Sequence, residues 1–113
     1  MFAGKSLTKA DLARRDAIHA GHCMACVQLV PPVDMRGQGF VQWHHTAGKK
    51  RHDLTCGLCI WHHMGRPFFA ATLAEMRADY GPALSEGSKP FHEAFGSDAE
   101  LLARQDRYLQ GEA

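Results

Sequence analysis

Two stretches, FVQWHH (40–45) and CGLCIWHH (56–63), carry the reading of this chain, and each ends in a histidine doublet. The first is a short apolar run rich in aromatic and β-branched residues, the signature of a strand. Period two puts Phe40, Gln42 and His44 on one face and Val41, Trp43 and His45 on the other. In the second stretch two residues separate Cys59 from His62, and upstream Cys23 and Cys26 form a CxxC pair. Soft ligands in two pairs at that spacing are how chains build tetrahedral zinc sites.

Three assignments of these ligands compete. A four-cysteine knuckle would use Cys23, Cys26, Cys56 and Cys59, and would leave both histidine doublets without a common purpose. A set of Cys23, Cys26, Cys59 and His62 would hold His63 at the start of a helix, one step from the zinc and facing the end of the FVQWHH strand. Redox cysteines alone need no such company of imidazoles. The second assignment is our reading: a structural zinc on Cys23, Cys26, Cys59 and His62, with His44, His45 and His63 facing a second metal.

With 113 residues, 45% of them hydrophobic, the chain has the size and composition of a single folded domain over 1–113. The segment from about 22 to 66 is loop-rich and poor in branched aliphatics, so a metal would supply what apolar burial there does not. Structural zinc contributes about 10–16 kcal/mol in such modules, as much as the net stability of a whole domain. Net charge is only +1, so global electrostatics do not announce a nucleic-acid binder. The charges are unevenly spread, however. Lys49, Lys50 and Arg51 follow the first doublet, Arg36 precedes it and Arg66 follows the second, against Asp34 and Asp53 in the same stretch. Such a rim suits phosphate, and it reads equally as a solvated loop run. No apolar run has the length of a signal core or a membrane span, which points to a cytoplasmic protein with no membrane partner. In that compartment CxxC signals metal or redox chemistry rather than a disulfide.

Taken in order, Thr8 with Asp11 predicts a capped helix from about 9 to 20 that Gly21 stops, with Leu7 and Leu12 as a staple. HCMAC reads as a knuckle and PPVDMRGQG as a loop. TAGKKRHDLT reads as a flexible connection to a second short strand near Leu54 and Thr55, and a helix starts near His62 until Gly65 and Pro67 interrupt it. Phe69, Leu73, Met76 and Tyr80 recur at helical spacing, predicting a helix over 69–80. GPALSEGSKP reads as a loop, and Phe91, Ala94 and Phe95 as a short helix that Gly96 ends. Ser97 with Glu100 opens a last helix burying Leu101, Leu102, Tyr108 and Leu109.

CxxC, a strand ending in a histidine doublet, then Cys, two residues and a second doublet entering a helix resembles the zinc-braced HNH nucleases, the ββα-metal endonucleases. The order LTKADLARRDAIHAGHCMAC, WHHT, DLTCGLCIWHH and GPALSEGSKPFHEAFGSDAELLARQDRYL is similar to the phage recombination-enhancement nucleases of the Ref type, which act with RecA filaments. Residues 66–80 stand out as an insertion. The resemblance implies an α+β fold: a small zinc-braced ββα-metal, treble-clef-like core at about 22–66, few short strands, an N-terminal helix at about 8–20 and a helical part at about 67–110. It implies a metal-dependent DNA endonuclease, encoded by a phage or prophage and acting in the bacterial host, with DNA and a RecA-type filament as partners. His44 and His63 would ligate the catalytic Mg²⁺ or Mn²⁺ and His45 would be the general base. Lys49, Lys50, Arg51 and Arg66 would meet DNA phosphates. The chain departs from the family pattern at Pro67, where many HNH enzymes have a further His or Lys, and at Cys56 and Gly57, where an apolar residue and Pro are usual. The rival class is a non-catalytic, zinc-stabilised module that binds nucleic acid or protein.

Overall fold

Thr8 and Ser97 both act as the capping residues their sequence neighbours suggest. In the computed structural model, which describes residues 7–111, Thr8 and Asp11 close a reciprocal capping box and start helix α1 (Lys9–His19). Ser97 and Glu100 do the same for the last helix, α5 (Asp98–Leu109). Between them run strands β1 (Val41–His45) and β2 (Thr55–Cys59), then helices α2 (Ile60–Met64), α3 (Leu73–Tyr80) and α4 (Ser88–Phe95). The result is an α+β fold with one two-stranded antiparallel sheet among the described residues.

The sheet pairs Val41 with Cys59, Trp43 with Gly57 and His45 with Thr55 on one face, and Gln42 with Leu58 and His44 with Cys56 on the other. The alternation read from FVQWHH is therefore the one observed. The second strand is longer than the Leu54–Thr55 core expected, because TCGLC is buried along its whole length and pairs to its last residue. The 46–54 connection is also less open than its glycine and charges suggest. Both the backbone N–H and the hydroxyl of Thr46 donate to the Leu54 carbonyl, at 3.0 and 2.9 Å. The Thr55 hydroxyl donates to the His52 carbonyl at 2.9 Å.

Helix α1 lies on the hairpin and is fastened to it by a polar side chain. Arg14 donates from Nε to the Thr55 hydroxyl at 2.9 Å, from one terminal nitrogen to the Thr55 carbonyl at 2.6 Å, and from the other to Asp106 of α5 at 3.1 Å. One guanidinium thus ties both terminal helices to the start of β2. Further along β2, the Gly57 N–H donates to Oε1 of Gln105 on α5 at 2.7 Å. Gln105 is nearly inaccessible, so this amide takes the place of a third strand for one buried donor. Gly57 has no room for a side chain: a Cβ there would lie 2.8 Å from both the His22 carbonyl and Val41 Cγ1.

Helix α3 begins four residues later than the apolar spacing suggests. Thr72 and Glu75 form a capping box that sets the start at Leu73, and Phe69 and Ala70 before it have φ of 56° and 60°, outside the right-handed helical region. Leu73 is half exposed and only Met76 of the expected stripe is fully buried. The expected 81–90 loop contains a single 3₁₀ turn (Leu84–Glu86), and α4 starts inside it at Ser88, with Pro90 tolerated in the first helical turn. On α5, Leu101 is buried but Leu109 is not; Gln105 takes the inward position instead. The core gathers Met24, Met35, Leu58, Trp61, Phe91 and Leu101 around the hairpin and α2. No helix among the described residues is long and apolar enough to cross a membrane.

Removing the Gln105 acceptor leaves a buried N–H unpaired, which costs about 1–3 kcal/mol. Gln105→Leu is expected to lower unfolding stability by that amount, and Gly57→Ala by at least as much because two backbone segments must part. Denaturant titration of the three proteins checks both.

Candidate metal centre and histidine site

The CxxC turn works as a knuckle because Cys23 projects its sulfur back over the following backbone. The Cys26 N–H points at Cys23 Sγ from 3.4 Å, and Cys26 opens a 3₁₀ turn over residues 26–28. Met24 N–H donates to the Gly57 carbonyl at 2.8 Å, seating the knuckle on β2. At the far end of β2, Cys59 is the N-cap of α2, and the His62 N–H points at its sulfur from 3.5 Å. These two local structures bring Cys23, Cys26, Cys59 and His62 together, all buried, with one donor atom of each within 4.8 Å of the others.

The donor set fits tetrahedral zinc. Bonds of about 2.3 Å to sulfur and about 2.0–2.1 Å to nitrogen place two sulfurs about 3.8 Å apart, and a sulfur and a nitrogen about 3.6 Å apart. Cys26 Sγ lies 3.8 Å from Cys59 Sγ, and His62 Nδ1 lies 3.6, 3.4 and 3.3 Å from Cys23, Cys26 and Cys59. The ring also has the right tautomer. Its Nε2 sits 2.8 Å from the Tyr80 carbonyl, which can only accept, so Nε2 carries a hydrogen and Nδ1 is the nitrogen left to bind a metal among the sulfurs. Phe95 packs edge-on against the ring at 4.9 Å and helps exclude water. The cluster can hold a structural metal such as zinc.

Cys56 stands outside this group. It lies three residues before Cys59 within an extended strand, and odd spacing turns the two side chains to opposite faces. Burial pushes the Cys56 thiol up to about 12, which keeps it protonated. Of the three ligand schemes, the fold brings together the one with Cys59 and His62.

Helix α2 carries His63 next to His62 and ends at Gly65, whose φ of 70° is the left-handed cap that stops so short a helix cleanly. His63 faces β1. Its Nδ1 lies 2.8 Å from Gln42 Oε1, so with that oxygen accepting, Nδ1–H donates and Nε2 keeps its lone pair. His44, two residues along the same strand face, meets the His63 ring at a centroid distance of 4.9 Å, edge to face. Burial pushes His44 down to about 4, with the His63 charge a second cause, Asp98 opposing, and His45 and His92 adding smaller downward effects. Burial also lowers His63. Both rings are therefore neutral near pH 7, the form that ligates a metal.

His45 projects from the opposite face. Its ring packs on Trp43 at 4.4 Å, and its Nε2 lies 3.1 Å from Nδ1 of His52. Burial lowers His45, and the neighbouring His52 and Lys49 lower it further. Among the described residues its Nδ1 has no hydrogen-bond partner. Hence 44 and 63 are brought together, while 45 stays beside them in sequence on the other side of the sheet, near enough for its charge to register at His44.

Of the basic residues, Lys49, Lys50, Arg51 and Arg66 are all exposed. Arg51 is bidentate with Asp53, at 3.0 and 2.9 Å, and Arg36 pairs with Asp34 at 2.8 Å. The rim's uncommitted charge thus comes from the lysines and Arg66. The sequence assigns no role to Gln42 or to the pair of His92 with Asp98, 3.6 Å apart, whose charges both act on His44, and it marks His52 only as a surface residue near enough to be a spare ligand. Gln42 had a signal, since period two already set it beside His44. The His92–Asp98 pair depends on folding of a distant segment.

A ligand set that excludes Cys56 predicts that Cys59→Ser binds less than stoichiometric zinc and melts well below the parent, whereas Cys56→Ser keeps its metal. Elemental analysis of the purified variants measures this directly.

No curated protein matches the chain. A family model described as recombination enhancement, RecA-dependent nuclease matches residues 8–110, from the Thr8 cap through the end of α5. A match of that extent places the knuckle, the hairpin with its histidines and the C-terminal helices within one family: this chain belongs to the recombination-enhancement, RecA-dependent nucleases.

Proposed function

We propose that the chain is a metal-dependent DNA endonuclease of the HNH kind, acting with a RecA filament and using His45 as its general base. The observation that carries the reading is the meeting of His44 and His63 at 4.9 Å, both neutral and half-buried, in a member of a nuclease family. Only two protein ligands leave most of the coordination to water, which suits a hydrated Mg²⁺ or Mn²⁺ better than a closed zinc cage, although imidazole itself is a donor that softer ions such as Zn²⁺ prefer. When bound, such an ion supplies charge neutralisation at the scissile phosphate and at the departing 3′ oxygen.

The chain's own residues divide the remaining tasks. His44 and His63 present lone pairs from a strand and a helix whose separation is fixed by the hairpin and by His62 in the sulfur cluster. His63 is kept in the required tautomer by Gln42. His45, neutral at cellular pH, takes a proton from a water at its free Nδ1. The new oxygen–phosphorus bond forms as the bond to the 3′ oxygen breaks, and that oxygen takes a proton from solvent. Lys49, Lys50, Arg51 and Arg66 hold flanking phosphates, which supplies affinity without reading sequence.

Zinc-loaded protein, RecA, single-stranded DNA and ATP with Mg²⁺ or Mn²⁺, joined to a homologous plasmid, test this. Cleavage is expected, and His44→Ala, His63→Ala and His45→Ala should each lower it by about 10²-fold or more while zinc content stays constant. Parent-like cleavage by His44→Ala and His63→Ala overturns the metal assignment. DNA binding with no cleavage under any divalent metal makes the chain a binding module instead.

Alanine at Lys49, Lys50, Arg51 and Arg66 together should weaken DNA binding equally for unrelated sequences. On duplex DNA the log–log salt dependence should flatten by about 0.9 for each phosphate that is no longer neutralised. Titrations at several salt concentrations read both effects.

A further inference from the structure

Among the titratable groups outside the cysteine cluster, His52 is placed with unusual care for a residue in a basic loop. Its ring stacks nearly parallel on Trp43, 22° between planes and 5.2 Å between centroids, and meets His45 edge-on at 5.2 Å. Trp43 in turn packs on His45 at 4.4 Å, so three rings close on one another. The loop that carries His52 is held at both ends. Thr46 grips Leu54, and the His52 carbonyl accepts from the Thr55 hydroxyl, which itself accepts from Arg14 of α1. An exposed connection without such anchors would leave the imidazole free to rotate.

From this arrangement we infer that His52 is a positioning residue for His45: its Nδ1 accepts the Nε2–H of His45 at 3.1 Å and so leaves the Nδ1 of His45 bare. The chemistry is a matter of counting hydrogens. Two imidazole nitrogens at hydrogen-bond distance share one hydrogen, and a neutral imidazole has only one to give. If His45 donates through Nε2, its Nδ1 is a lone pair that can take a proton from water. If His52 were the donor, His45 would carry its hydrogen on Nδ1 and could not act there. His52 can take the acceptor role, since its Nε2 has no hydrogen-bond partner among the described residues and is free to carry the hydrogen. Histidine partners of this kind usually set tautomer and ring orientation together.

This assignment rests on His45 being the base, so its test reads tautomer and catalysis separately. Zinc-loaded protein with ¹⁵N-labelled histidine rings is observed at neutral pH by long-range nitrogen–hydrogen correlation. The expected pattern in the parent is Nε2 protonated and Nδ1 bare at His45. His52→Ala should lose that fixed tautomer, and His52→Asn, whose side-chain oxygen stands near the place of Nδ1, should keep it. In the RecA cleavage assay His52→Ala is expected to lower kcat about 10–100-fold with little change in KM for DNA, and His52→Asn to recover most of the loss. Equal zinc content in all variants separates this from misfolding. Parent protein with hydrogen on Nδ1 of His45 overturns the inference, as does parent-like kcat in His52→Ala, or a raised KM with kcat intact, which would make His52 a DNA contact. Cleavage that survives His45→Ala removes the base itself and the role of His52 with it, even where the nitrogen pattern is as expected.

Discussion

The structure depends on the convergence of three sulfurs and one imidazole on a point. Cys23 and Cys26 come from a turn after α1, Cys59 from the last position of β2 and His62 from the first turn of α2. None of these pieces is long enough to be stable alone: a five-residue helix falls far below the length at which helices persist in water. A metal held at their meeting point would fix their relation with an energy comparable to that of a domain. His63 inherits its position from this, as the next residue on a helix that has no freedom to turn.

The two histidines of each doublet thereby part company. On α2, adjacent residues are about 100° apart, so His62 faces the sulfurs and His63 faces β1. On the strand, adjacent residues point to opposite faces, so His44 meets His63 while His45 meets Trp43 and His52. A repeated letter in the sequence is put to four uses by two backbone periodicities. Neutrality follows from the same burial, which lowers His44, His45 and His63 alike.

Much of this is legible in the sequence where a local rule governs. The capping boxes at Thr8 and Ser97, the period-two faces of FVQWHH and the spacing of the cysteine and histidine ligands all depend on residues within a few positions of one another. The start of α3 shows two local rules in conflict. Apolar spacing points to Phe69, but Thr72 with Glu75 satisfies the orphan N–H groups of a helix beginning at Leu73, and that bond pattern prevails. What stays hidden is long-range. Gln105 reaches Gly57, and Arg14 joins Thr55 to Asp106. No periodicity announces such contacts, since each partner alone has the look of a surface residue.

Trp61 and His62 grip the end of α3 through consecutive carbonyls, the indole N–H on Gly81 at 2.9 Å and the imidazole Nε2–H on Tyr80 at 2.8 Å. The segment from 66 to 80 is therefore a closed excursion that leaves α2 and returns to it. Because its two ends are anchored to neighbouring side chains, extra residues inserted at the exposed Phe69–Ala70 turn, just past the buried Phe68, would cost little beyond the slow logarithm of loop closure, about 0.6 kcal/mol per doubling of length. Such a tether makes this arc a natural place for elaboration, where a graft or an added recognition element can be accommodated without disturbing the donors at its base.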